Sequence, residues 1–240
     1  MPARSRKIVL IEMPMRKDEA LLRKQFAPHL AADSSESRQA LADAAAKAEA
    51  VALTDMRQAL AGRAGFALDE SEATARAVSE LRLDSPDVVV TKDLAQQLQA
   101  VSGADDLLRF RITDYGATPK AWRNGYIAFE VTSTLAIAAI AYSYPATRAI
   151  AGVYLVEEGI EETVEGYAGF WAIDEVARPV RLEAQLVSLD SGTEQWKEAV
   201  TGFSDLRPTR LLRKVGGAEQ DAQRARATHD AVSKLAAKVN

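Results

Sequence analysis

The sequence predicts an α/β chain of the α+β kind, an anticodon-binding-like sheet with helices on one face and an inserted helical hairpin. Strands alternating apolar with charged residues stand at Leu108–Ile112 and Val180–Leu186, the period-2 mark of a sheet with one face in a core. As far as Leu81 the chain reads strand, helix, strand, helix. Between the two strand regions lies a stretch rich in Ala, Ile, Leu and Tyr, from Tyr126 to Val156, broken by Pro145 and Arg148. Residues 1–119 and 171–240 are therefore assigned to one α/β domain, and 120–170 to the insertion.

Lys7–Met13 reads as a strand, because Ile8–Ile11 is a continuous apolar run ended by Pro14, and a run this apolar wants cover on both faces. Asp18–Phe26 reads as helix. A longer helix starts after Ser34-Ser35 and runs to about Arg63, its apolar side made of Ala42, Ala45, Ala46, Ala48, Ala50, Val51, Leu53, Met56 and Leu60. Phe66–Leu68 follows as a strand, then Asp69-x-x-Glu72 offers a capping box for a helix carrying Ala73, Ala77, Val78 and Leu81. Thr91 caps Lys92–Val101, and Gly103 stops it. Leu107–Tyr115 is a strand with one wet face. In the insertion the apolar run Leu135–Tyr142 falls short of the roughly 20 residues that span a membrane. It pairs with a second arm spaced by Gly152, Gly159 and Gly166. Val180–Leu189, the turn Asp190-Ser191-Gly192-Thr193 and Gln195–Phe203 form a hairpin with Trp196 and Val200 on one face. Two helical pieces close the chain, Thr209–Val215 and Glu219–Val239, the latter with Ala222, Ala225, Val232, Leu235 and Val239 as its stripe.

The chain has 240 residues, 48% hydrophobic and 27% charged, with a formal net charge of −4. That composition supports a substantial core. Cysteine is absent, which excludes disulfides, thiolate metal sites, iron–sulfur clusters and Cys nucleophiles. The only histidines, His29 and His229, leave little for a His relay or a multi-His metal site. No Gly-x-Ser-x-Gly elbow, Walker-type loop or Gly-x-Gly-x-x-Gly run occurs. No secretory leader is legible, because only Ile8–Ile11 follows Pro2–Lys7 as an apolar stretch.

Two segments resemble a known group. Ser102-Gly103-Ala104-Asp105-Asp106-Leu107-Leu108-Arg109-Phe110-Arg111-Ile112 is similar to the helix, Gly-Ala-Asp, strand segment of bacterial envelope proteins. Leu189-Asp190-Ser191-Gly192-Thr193-Glu194-Gln195-Trp196 resembles the same group's strand, Asp-x-x-Gly turn and Trp-bearing return strand. The group includes the curli-secretion lipoprotein, the lipoprotein activators of penicillin-binding proteins and the amino-terminal domain of the Tol translocation protein. The resemblance implies an exported, often lipid-anchored α/β domain that acts through protein contacts rather than catalysis. It covers Lys7–Leu10, Ala50–Thr113 and Val180–Val239. The 120–170 insertion departs from it, reading as helix where the curli-secretion family builds membrane-spanning hairpins, so pore formation is not carried over.

Glu157, Glu158, Glu161, Glu162 and Glu165 put carboxylates on adjacent helical turns. A di-metal cradle also needs Glu-x-x-His pairs, and no His lies nearby, so these form an acidic solvated or docking face. Trp122, Tyr126, Phe129, Tyr142, Tyr144 and Tyr154 gather six of the fifteen aromatics in or beside the insertion. Core packing accounts for them, and so does a partner interface, because Tyr and Trp tolerate one wet end. With Arg148, these aromatics and glutamates make the candidate interaction surface. Glu12, Asp114 and Asp174 sit near strand ends, where a carboxylate pair could act as acid and base; nothing in the sequence makes them converge, and ordinary capping or loop roles account for them. Arg207, Arg210, Arg213, Lys214, Arg224 and Arg226 form a basic cluster, weak for nucleic acid on an acidic chain.

The expected function is that of a non-enzymatic envelope adaptor or assembly factor without cofactor, catalytic or metal residues. Its partner is a protein or a second copy bound through the insertion, with a membrane surface close by. The expected location is periplasmic, outer-membrane-anchored in a full-length form, or cytoplasmic if no leader lies upstream. The rival reading is a cytosolic ligand- or nucleic-acid-binding module on the same scaffold.

Overall fold

A computed structural model describes residues 5–15, 35–116, 174, 177–205 and 215–239. Strand β1 (Arg6–Glu12) is followed by helix α1 (Ser35–Ala61), strand β2 (Phe66–Leu68), helices α2 (Glu72–Glu80) and α3 (Lys92–Ser102), strands β3 (Asp106–Tyr115), β4 (Val180–Ser188) and β5 (Glu194–Gly202), and helix α4 (Gly217–Ala236). The strands make one mixed sheet in the order β2-β1-β3-β4-β5. β1 runs parallel to both neighbours, whereas β3, β4 and β5 form an antiparallel meander. The α+β class expected from the sequence is what the chain adopts. The two alternating strands lie side by side, Phe110 facing Ala184 and Ile112 facing Leu182.

Helices cover both faces of this sheet, not one. On the first face Ile8, Leu108, Phe110, Leu182, Ala184 and Leu186 pack with Ala48, Ala52, Met56 and Leu60 of α1 and with Ala227, Ala231 and Leu235 of α4. On the second, Val9, Ile11, Leu107 and Val187 meet Ala77 of α2, Leu83, and Ala95 and Leu98 of α3. Successive side chains of a strand point to opposite faces, so the unbroken Ile8–Ile11 run needs both layers, as its composition implied.

Local chemistry sets the helix ends. Thr91 accepts from the Leu94 N–H at 3.4 Å, and Gly103 ends α3 at φ +59° with its N–H on Gln99 O. The expected Asp69–Glu72 capping box is replaced by a cap at Ser71, which accepts from Thr74 N–H. Asp69 instead takes the Thr74 hydroxyl at 2.6 Å. The reason is register: the helix begins at Glu72, so the third helical position is Thr74. The stripe on α4 is also offset. Ala222 and Ala225 face solvent, while Gln223, Arg224, Ala227 and Thr228 are buried.

The wet face expected for β3 is covered. Arg109 is 2% exposed, its guanidinium donating to Val88 O at 2.9 Å and Ser85 O at 2.5 Å. Arg111 pairs with Glu183 on β4 at 2.6 Å. A buried cation is costly unless its donors find acceptors; here the segment between α2 and α3 supplies carbonyls to both terminal nitrogens, while Nε has no partner among the described residues.

The two sequence motifs meet in space. Asp105 accepts from the Lys7 main-chain N–H at 2.8 Å, and its carbonyl accepts from Leu189 N–H at 2.9 Å. Asp106 holds Arg6 of β1 and accepts from Gln195 of β5 at 2.6 Å. These aspartates thus tie four strands together at one end of the sheet.

Candidate functional site

The expected insertion falls in the connection between β3 and β4. β3 and β4 are paired up to Tyr115 opposite Val180, and Gly116 N–H donates to Pro179 O at 2.8 Å. The connection between β3 and β4 therefore begins and ends at adjacent points of one antiparallel ladder.

The root of this connection, at Tyr115–Gly116 and Ala177–Pro179, is polar and buried. Gly116 takes φ +80°, and a Cβ there would come within 2.8 Å of Arg224 Nε, so glycine is required twice over. Arg224 lies with its guanidinium 5.8 Å over the Tyr115 ring and donates to Asp221 at 2.8 Å. That cation over a ring face is a favourable electrostatic contact. Burial pushes the Tyr115 hydroxyl above its usual range, with Arg224 opposing. On the returning side Arg178, 6% exposed, donates from Nε to Gln223 Oε1 at 2.8 Å. Its φ is +40°, the left-handed region, directly before Pro179, where sterics favour extended backbone. Such a residue costs on the order of 1–3 kcal/mol and persists where its surroundings fix it. Ala177 O is held by Ser204 N–H at 2.9 Å. Helix α4 and the segment after β5 thus grip both ends of the crossing.

A second polar feature lies under α1. Glu12 ends β1 with Oε1 buried and unpartnered among the described residues. Glu49 of α1 accepts from Met15 N–H at 2.5 Å. Burial first, and the Glu49 carboxylate second, push the Glu12 carboxyl up to about 8. Burial also raises Glu49, against the Met15 hydrogen bond.

Glu12 and Asp114 lie on opposite faces of the sheet and do not form an acid–base pair. Glu12 faces α1 on the first face, whereas Asp114 stands opposite Arg181, with parity opposite to core residues Val180 and Leu182. Asp174 stands apart in sequence, three residues before Ala177. Of the basic cluster, Arg224 is buried at the root and Arg226 pairs with Asp205 at 2.8 Å; Arg207, Arg210, Arg213 and Lys214 lie outside the described residues. So do all twelve residues of the expected interaction surface: Trp122, Tyr126, Phe129, Tyr142, Tyr144, Arg148, Tyr154, Glu157, Glu158, Glu161, Glu162 and Glu165. Among the described residues no cluster of carboxylates and imidazoles could hold a metal ion, and no helix is long and apolar enough to cross a membrane.

Sequence reasoning missed Arg178, Gln223 and Glu49. Glu49 carried a signal, lying four residues after Ala45 and three before Ala52 on the flank of the buried stripe. Arg178 carried one too, an arginine between Ala177 and Pro179 just before a strand.

No protein-family model matches the chain, and neither does any curated protein. Several solved structures are similar. The hypothetical protein CT253 from Chlamydia trachomatis is 9% identical over 97% of this chain and 96% of that one, with a TM-score of 0.43. Lipoprotein GNA1162 from Neisseria meningitidis is 11% identical over 90% and 91%, with a TM-score of 0.33. The LpoB C-terminal domain from Salmonella enterica is 10% identical over 83% of each chain, with a TM-score of 0.29.

Proposed function

We propose that the chain is a non-enzymatic adaptor or assembly factor of the bacterial envelope, working through protein–protein contacts made by the 120–170 insertion while the α/β domain serves as its mount. The observation that carries this reading is the root. A segment entering and leaving at Tyr115 and Val180 is fixed at two neighbouring points by buried Arg178, Gln223 and Arg224. Holding a contact surface on a rigid scaffold lowers the ordering cost of binding. The resemblance of Gly103–Ile112 and Leu189–Trp196 to envelope lipoproteins supports the setting. The internal commitment of Arg224 and Arg226 weighs against a nucleic-acid face.

Deleting Thr132–Val164 tests it. The shortened chain should retain its circular-dichroism spectrum and cooperative unfolding, and should lose binding to a partner or to itself in pull-down and light scattering. Unchanged binding in a folded deletion variant would leave the insertion without a contact role.

A further inference from the structure

The two edges of the sheet are unlike. β5 carries Glu194, Lys197 and Glu198, and Lys234 of α4 donates to its Thr201 carbonyl at 3.1 Å. Charges along an edge discourage strand addition. β2 is Phe66-Ala67-Leu68, with no charge at all. It borders a groove of about 390 Å³ walled by Arg57, Gln58 and Ala61 of α1 and floored by Phe66 and Leu68.

The hydrogen bonds of β2 define what the edge can accept. Arg6 N–H donates to Gly65 O and Asp69 N–H to Ile8 O, which brackets the parallel ladder of Arg6–Ile8 with Phe66–Leu68. In that register Ala67 spends both main-chain groups on β1, and the N–H and C=O of Phe66 and Leu68 point outward. An outward donor and acceptor on each of two residues spaced by two is the pattern of an antiparallel pair.

We infer that β2 pairs antiparallel with β2 of a second copy, joining two sheets across a two-fold axis through Ala67. This goes beyond the role proposed for the insertion. Phe66 would exchange both bonds with Leu68 of the second copy, and Leu68 with its Phe66, while the two Ala67 residues face each other as the narrow pair between them. The strand is therefore complementary to itself, as an isologous contact requires. Side chains agree. Phe66 and Leu68 point toward α1, where they pack against the first core, so pairing continues that apolar layer across the axis. Ala67 is exposed on the other face and too small to obstruct. The flanking charges are engaged within the chain: Arg63, its guanidinium 5.4 Å over the Phe66 ring, donates to Ala236 O, and Glu70 pairs with Arg57 at 2.9 Å. The orientation therefore rests on the main-chain hydrogen-bond pattern.

Sedimentation equilibrium of the full chain tests this with Ala67→Lys and Ala67→Glu. The parent chain should self-associate with concentration. Each variant places like charges opposite one another and should weaken association by up to about fivefold, whereas an equimolar mixture should recover it. A parent chain that stays monomeric at its highest soluble concentration overturns the inference. So does association that the variants leave unchanged, or a mixture no stronger than either variant alone. Association lost on deleting Thr132–Val164 but indifferent to position 67 would support the insertion reading and sink this one.

Discussion

Glu12 shows how one carboxyl can make stability depend on pH. Its acidity in the folded chain, about 8 against the ordinary 4.5, means that the folded state holds a proton which the unfolded chain has released between those values. Stability contributed at this position is therefore full below about pH 4.5 and falls as pH rises through 8. Glu12→Gln copies the protonated form and should flatten that decline, making the variant more stable than the parent by about 2 kcal/mol at pH 9 and little different at pH 5. Urea denaturation at the two pH values checks it, and parallel curves would mean that Glu12 does not titrate in this range. Nothing in the residue order around Glu12 announced this, because its causes are tertiary: burial under α1 first, and the Glu49 carboxylate, remote along the chain, second. Arg109 was obscured in the same way. Its alternation with Phe110 and Arg111 reads as a wet face, and only the carbonyls of Ser85 and Val88, fixed by tertiary folding, make its burial tolerable.

At the level of elements, local signals were the most readable. Thr91 and Gly103 bound α3 as their chemistry requires, and the Asp190–Thr193 turn joins β4 to β5 with Gly192 at φ +70°. Helix faces were less readable where polar residues are buried, since Gln223 and Thr228 on α4 look like solvent residues until Arg178 and the Arg224 carbonyl are seen beside them. The α4–β5 contact rests on Gly202. A Cβ there would lie 2.1 Å from Ala227 O and 2.3 Å from Ala231 N, both main-chain atoms that cannot rotate aside. Glycine in a strand often marks such a close approach. Gly202→Ala should therefore lift α4 from the sheet and lower the unfolding free energy by about 3 kcal/mol, read from the denaturation midpoint with an unchanged slope. A loss under a few tenths of a kcal/mol would show that the helix sits farther out.

Over the whole molecule, the sequence pattern conveyed the sheet but not its covering. The order β2-β1-β3-β4-β5 follows from pairing partners far apart in the chain, and the second helical layer from Leu83, Ala95 and Leu98 reaching Val9 and Leu107. The candidate contact surface was legible only as composition, because aromatic and acidic content identifies a segment without assigning its neighbours. A chain stopped at Asp174 would lack β4, β5 and α4, leaving the inner edge of β3 bare and the first face with α1 alone. It should show no cooperative thermal transition and should aggregate, as turbidity would report; a sharp transition would mean that the first half folds alone.

The internal seat of β1 imposes an order of assembly during synthesis. The first strand made is flanked by β2 and β3, and β3 is completed on its far side only by β4, more than sixty residues later. During elongation the early strands must wait, with unmatched peptide groups, for a distant part of the chain. The interval in which holdase chaperones could engage the nascent polypeptide is thus set by the length of the segment between Tyr115 and Val180.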